Sequence, residues 1–173
     1  PRVWRRSGEN LGENPVDEIS GLIVGSDCRV SEQVILRKGN NTMKEVYEFL
    51  KNCGTYYLAT VEGNQPRVRP FGTVDLFEDK LYIQTGKVKA VAQQMKSNSN
   101  IEISAMAPDG RWIRVAAEAV LDDNIKAQEH MLEAYPNLKA MYAAGDGNTE
   151  VYYLKNVTAQ ICSFTEAPRE IKF

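Results

Sequence analysis

From Thr55 onward the chain runs as short β-branched and aromatic segments, each closed by a turn signal, and this rhythm constrains the fold more than any other feature. TYYLATV (55–61) reads as a strand, Glu62-Gly63-Asn64 as a turn, and Gln65 to Phe77 as one long alternating strand, so the pair forms a hairpin. Glu78-Asp79 then turns the chain into Lys80–Thr85, which completes an antiparallel meander. The spacing changes to that of a helix between Gly86 and Asn98, with Val88, Val91, Ala92 and Met95 on one face. Strands return at Asn100–Met106 and Arg111–Leu121 around the turn sequence Ala107-Pro108-Asp109-Gly110. Asp122-Asp123-Asn124 caps a helix to about Ala134, Pro136 interrupts it, and a further helical piece is predicted over Leu138–Ala144. Glu150–Leu154 and Val157–Phe164 give two last strands, and Ala167–Phe173 reads as a tail. Six or seven antiparallel strands with short interspersed helices predict a closed or nearly closed barrel, because a flat open sheet would leave its edges exposed.

Ahead of this unit, a helix is expected to start at the capping pair Asn41-Thr42, to carry Val46, Phe49 and Leu50 on one face, and to end at Cys53-Gly54. The domain is therefore placed at 43–173, with Met43 as its natural start. Residues 1–42 are a different kind of sequence, with Gly8, Gly12, Asn14 and Pro15 breaking any period and six basic against six acidic residues. They read as an N-terminal extension, with at most short strands such as Val34-Ile35-Leu36.

With 173 residues and 43% apolar composition the chain can bury one sizeable core, and nothing calls for a second full domain. The net charge of -2 offers no general attraction to nucleic acid or to an anionic membrane, so any anion site must be local. Cys28, Cys53 and Cys162 are far apart and odd in number, without metal spacing, and fit thiols in a reducing cytosol. No apolar run reaches bilayer length, and the expected location is cytoplasmic. His130 is the single histidine, which excludes multi-histidine metal sites, and it is expected as an exposed helix residue.

The chemistry concentrates around two segments. Alternation from Gln65 to Phe77 puts Val68, Pro70, Val74 and Leu76 on one face, expected as core, and Arg67, Arg69, Phe71, Thr73 and Asp75 on the other. Alone, the two arginines fit a solvated strand face equally well. Gln84-Thr85-Gly86 then ends a strand, Gly86 admits close approach to the backbone, and Lys87 and Lys89 are expected in the first turn of the next helix. Helix starts favour acids, so an external anion would explain these lysines, although both could simply point to water. Trp112 and Arg114 share a strand face, which suits packing within the protein or contact with a flat ligand. Tyr56, Tyr57, Tyr82, Tyr152 and Tyr153 are taken as core or interface residues. There is no dinucleotide glycine fingerprint after the first strand and no GxxxxGK[ST] loop, which argues against a nucleoside-triphosphate site.

In order and spacing, RVRPF after TYYLATVEG, the YIQTGKVK junction, NSNIEIS and WIRV resemble the pyridoxamine 5'-phosphate oxidase-like family of FMN-binding split barrels, from about Met43 to Phe164. The resemblance implies a mainly β fold, a six-stranded antiparallel split β-barrel with accessory helices. It implies a homodimer with FMN in grooves between subunits, a small-molecule substrate, no metal and no catalytic side chain. The residues it assigns to the cofactor are Arg67, Arg69, Pro70 and Phe71 beside the isoalloxazine and ribityl portion, and Thr85 and Lys89 at the phosphate. Lys87 is a secondary candidate at the phosphate and Gln84 a further cofactor contact, while Trp112 and Arg114 approach the flavin in part from the partner subunit. True pyridoxamine phosphate oxidases carry a lysine shortly after the strand arginine and an Arg-x-His near the C-terminus. Pro70-Phe71-Gly72 and the APREIKF ending depart from both, so vitamin B6 phosphate is not the expected substrate. An FMN-dependent oxidoreductase is the leading expectation, and a non-catalytic binder or sensor of FMN, deazaflavin or heme is the alternative. A structural dimer with an empty groove is the third reading. Substrate choice is assigned to the loops 107–111 and 144–149.

Overall fold

The computed structural model describes residues 41–173; Cys28 and the short strand expected at Val34–Leu36 lie outside them. Helix α1 spans 41–53, so residues 41 and 42 already lie within the helix. Gly54, at φ +70°, ends the helix as the sequence predicts. Val46 and Leu50 are fully buried, and Phe49 packs at the margin of the core.

The strands are β1 (Tyr56–Glu62), β2 (Gln65–Phe71), β3 (Asp75–Phe77) and β4 (Lys80–Gly86). After helix α2 (Ala90–Ser97) come β5 (Asn100–Met106) and β6 (Trp112–Asp122). Helix α3 (Ile125–Ala134) and a 3-10 turn (Pro136–Ala140) precede β7 (Thr149–Cys162) and β8 (Arg169–Lys172). The eight strands form one antiparallel sheet in the order β2-β1-β5-β6-β7-β4-β3, with β8 on β7. This is the expected mainly β split-barrel class with accessory helices, but with eight strands rather than six and a path left open between β2 and β3.

Turn chemistry sets the registers. Gly63, at φ +60°, turns β1 into β2 so that Glu62 faces Gln65. Glu78 and Asp79 both adopt positive φ, the mirror-image turn that matches strand twist, and set Phe77 against Lys80. Asn124, the last of the three polar residues expected to cap α3, accepts from the Lys126 N–H, while Asp122 is still in β6.

Three expectations near the C-terminus change. The helical piece predicted over Leu138–Ala144 is the single 3-10 turn Pro136–Ala140, since the proline restarts the backbone. The two last strands are one, because the polar pair Lys155-Asn156 marks a bulge: Asn156 sits at φ +53° and the β6–β7 register shifts between Ala116 and Glu118. The tail contains β8, which pairs with β7 and buries Ile171 opposite Ala159.

The main core lies inside the barrel, from Tyr56, Leu58, Ile103, Ile113, Val115 and Tyr152, all at most 1% exposed. A smaller cluster of Tyr82, Ala127, Met131 and Val151 packs α3 on the other face of β4 and β7. Tyr57 is an exception among the strand tyrosines, 54% exposed on the outer face. His130 is half-buried rather than exposed, its ring 4.9 Å from that of Phe77 and its Nε2 3.9 Å from an Asp75 carboxylate oxygen. Among the described residues no helix is long and apolar enough to cross a membrane.

The predicted continuous strand Gln65–Phe77 is broken at 72–74, where the chain leaves β1 and joins β4. Side chains hold this seam. The Tyr56 hydroxyl donates to the Thr73 carbonyl at 2.7 Å, and Thr73 Oγ1 accepts from the Gln84 N–H at 3.1 Å and donates to the Gln84 carbonyl at 3.2 Å. The Tyr135 hydroxyl accepts from Val74 N–H at 2.9 Å and donates to Val74 O at 2.8 Å. The break also reverses the predicted faces. In β2, Arg69 lies opposite Leu58 and Phe71 opposite Tyr56, so these odd-numbered residues point inward and Val68 is 64% exposed. Past the seam the parity flips and Val74 is buried.

Candidate functional site

The seam leaves a cavity of about 160 Å³ where the sheet fails to close. Pro70, Phe71, Gly72 and Thr73 form one wall, Gln84, Thr85 and Lys89 the end of β4 and the start of α2, and Leu138, Met141 and Tyr142 the remaining side. No carboxylate lines it.

Two of these residues carry the clearest chemical signal. Gln84 and Thr85 are 5% and 3% exposed, and both polar atoms of the Gln84 carboxamide and the Thr85 hydroxyl are buried with no hydrogen-bond partner. A buried polar group without a partner costs about 1–3 kcal/mol, so side-by-side orphans at a cavity point to a ligand. Consecutive strand residues face opposite sides, so Gln84 shares its face with Tyr82 and α3 while Thr85 looks into the barrel. The His130 Nε2 is also buried without a hydrogen-bond partner, but it lies away from the cavity walls. Two larger clefts of about 350 Å³ have none of these atoms in their walls.

The lysines sit differently from the expectation. After β4 the chain makes a turn in which the Lys89 N–H donates to Gly86 O at 3.0 Å, and α2 begins only at Ala90 with Lys89 as its capping residue. Lys87 and Lys89 are therefore in a turn before the helix; Gly86, followed by Lys87 and Val88, favours a turn over immediate helix. The first helical turn carries no acid. The Lys87 N–H donates to Asn148 O at 2.7 Å, which ties this turn to the loop before β7. Asp146 organises that loop, accepting from the backbone N–H groups of Ala143, Asn148 and Thr149 at 3.0, 2.8 and 2.6 Å. These bonds stabilise the carboxylate and lower its pKa to about 2.

Arg69 turns into the protein. Its guanidinium donates to Thr60 Oγ1 and Gln94 Oε1, each at 2.6 Å, and to Leu58 O at 3.3 Å. Burial, then the neighbouring Arg67, lowers its pKa, and it makes no ion pair among the described residues. Arg67 is exposed and paired with Glu62 at 2.6 Å. Trp112 and Arg114 lie on the outer face of β6, Trp112 with its ring 5.1 Å from Phe164 and Arg114 paired with Glu102 at 2.7 Å.

Of the ten residues singled out from the sequence, Pro70, Phe71, Gln84, Thr85 and Lys89 line one cavity. Arg69 lies next to Pro70 but points to α2, Arg67 and Lys87 are exposed, and Trp112 and Arg114 face away. The sequence reading missed Thr73, Leu138, Met141 and Tyr142. The last three recur at i, i+3 and i+4, an apolar stripe that needed something to cover. Gly86 does admit a close approach, but of Tyr142: a Cβ there would stand 3.0 Å from the ring. No three His, Cys, Asp or Glu side chains gather as metal ligands among the described residues.

The sequence pattern of pyridoxamine 5'-phosphate oxidase matches residues 42–159, which include both walls of the cavity. The chain belongs to the pyridoxamine 5'-phosphate oxidase-like family. It is 43% identical to a NimC/NimA family protein from Clostridium acetobutylicum, over 80% of this chain and 96% of that one, with a TM-score of 0.77. General Stress Protein 26 from Bacillus anthracis shares the fold at 15% identity and a TM-score of 0.62, over 78% of this chain and 98% of its own. A putative pyridoxamine 5'-phosphate oxidase from Listeria innocua does so at 16% and 0.56, over 68% and 95%. No curated protein matches the chain.

Proposed function

We propose that this member of the family is an FMN-binding oxidoreductase in which hydride passes between a reduced nicotinamide, or another small donor, and the flavin. The observation that carries the reading is the pair of orphaned buried side chains, Gln84 and Thr85, beside Lys89 in a cavity without acids. FMN fits that donor set, since its phosphate and ribityl hydroxyls offer the acceptors and donors these groups lack. At about 160 Å³ the cavity is below the ~300 Å³ of pockets that enclose a whole drug-sized ligand, so it suits one end of the cofactor.

Lys89 and Thr85 would hold the phosphate, Gln84 would bond a neighbouring polar edge, and Pro70 and Phe71 would shape the apolar wall. Bound FMN supplies the redox chemistry, and the chain positions it and limits water, so no side chain need act as nucleophile. Vitamin B6 phosphate is not the proposed substrate. Arg169, the remaining basic residue near the C-terminus of the kind that grips it, is paired with Glu45.

The outer face of β1, β5 and β6 completes the reading. Tyr57, Met106, Trp112 and Phe164 border one shallow apolar cleft there, with Met106 64% and Phe164 86% exposed. We assign this face to a second copy of the chain, which would bring Trp112 and Arg114 to the partner's flavin; a monomer in sedimentation at micromolar concentration would refute that.

The test of the main reading is spectroscopic. Purified protein is expected to be yellow, or to become so with FMN, and to bleach anaerobically with NADH or NADPH. Protein that stays colourless with excess FMN overturns the flavin assignment, and flavin that stays oxidised with both donors overturns the nicotinamide step.

A further inference from the structure

Tyr142 packs onto the turn before α2 in a way that apolar burial alone does not explain. Its ring lies where a Cβ of residue 86 would stand, 3.0 Å from Cε1 and 3.1 Å from the hydroxyl, so glycine at 86 is what lets it in. The Lys89 ammonium is 5.7 Å from its ring centroid. The backbone that carries it is held on both sides, since the Tyr142 N–H donates to Leu138 O at 3.0 Å and the Ala143 N–H to Asp146 at 3.0 Å. Its hydroxyl is not one of the buried atoms sealed off without a partner, and so it is open to the cavity that Tyr142 lines.

Around this one cavity, then, stand an ammonium and a phenol hydroxyl, with Thr85 in the wall and no acid. Donors around a space free of carboxylates match an anion with several acceptor oxygens, such as a phosphate monoester. A phenylalanine could pack on Gly86 in the same way, so what the tyrosine adds here is its hydroxyl, a donor at the cavity.

The geometry points to Tyr142 as a ligand-binding residue that hydrogen-bonds the phosphate of the cofactor beside Lys89, with Gly86 retained so that the hydroxyl can reach it. This rests on the flavin reading above and extends it: the site selects a phosphorylated flavin over the free one through the phenol as well as the lysine.

The experiment compares FMN and riboflavin binding by fluorescence titration in wild type, Tyr142→Phe, Gly86→Ala and Lys89→Met. Wild type is expected to prefer FMN. Tyr142→Phe should weaken FMN roughly tenfold or more, the effect of losing a hydrogen bond to a charged group, and leave riboflavin unchanged. Gly86→Ala should cause a similar loss, and the double variant should lose little beyond either single one, because both remove the same contact. If Lys89→Met loses the preference but Tyr142→Phe keeps it, the tyrosine proposal is overturned and the flavin reading stands. If wild type binds the two flavins equally, or neither, the phosphate assignment falls and this proposal falls with it. Thermal melts check the folding of each variant, and Tyr142→Phe removes only one oxygen.

Discussion

Beside α2, Thr60, Arg69 and Gln94 bond one another at 2.6 Å, and Lys96, Glu150 and Tyr152 form a second closed set, with Glu150 bonding the Tyr152 hydroxyl at 2.7 Å. At the end of β4, opposite Glu150 in the register, Thr85 and its neighbour Gln84 are as deeply buried and bond nothing through their side chains. The same barrel thus satisfies its buried polar groups where they join strands to helix and leaves them open where a cavity reaches them. Burial in both places costs desolvation. Only in the first is that cost offset within the chain, and so the second is where an outside partner has the most to contribute.

Substitutions can break this contrast. Glu150→Ala should have the largest effect, about 3 kcal/mol of lost stability in urea unfolding, because it strands a partly buried lysine and a phenol; a change under about 1 kcal/mol would mean the closed set is ornamental. Thr60→Val should cost about 2 kcal/mol, since Arg69 and Gln94 both lose a partner while shape is kept. Gln84→Met should go the other way. Removing an unsatisfied amide leaves stability unchanged or raises it by about 1 kcal/mol in the ligand-free protein, while FMN binding weakens. A destabilised Gln84→Met would show that the amide is already satisfied.

The smallest expected effect concerns pH. Bonds from Ala143, Asn148 and Thr149 hold the Asp146 pKa at about 2, below its ordinary 3.8. A depressed folded-state pKa stabilises the fold fully above the ordinary value, and the contribution fades as pH falls toward about 2. The melting temperature of Asp146→Asn should therefore lie below that of wild type near neutrality, and the gap should narrow through that acid range. A gap independent of pH would assign the effect to geometry alone.

The sequence made much of this legible where local signals agree. Gly54, Gly63 and the Glu78-Asp79 pair marked their turns, and alternation placed β5 and β6 within a residue of their ends. Parity failed at β2, because Val68 and Val74 look alike in sequence and only the seam between them shows that they lie on different faces. That Thr85 and Lys89 belong to one locality was legible from their closeness around Gly86. The cavity wall from Leu138 to Tyr142 comes from a distant segment, beyond β5, β6 and α3, and no local pattern couples the two. His130 was misjudged for the same reason: its neighbours, Phe77 and Asp75, come from β3.

The seam has a consequence for how such a barrel can change. Between Phe71 and Asp75 the connection is fastened by the hydroxyls of Tyr56, Thr73 and Tyr135 and not by a ladder of paired strands. Residues added to or removed from that link would resize the mouth of the cavity while every strand keeps its register. A lineage could thereby admit different molecules at the same opening, with the scaffold left as it is.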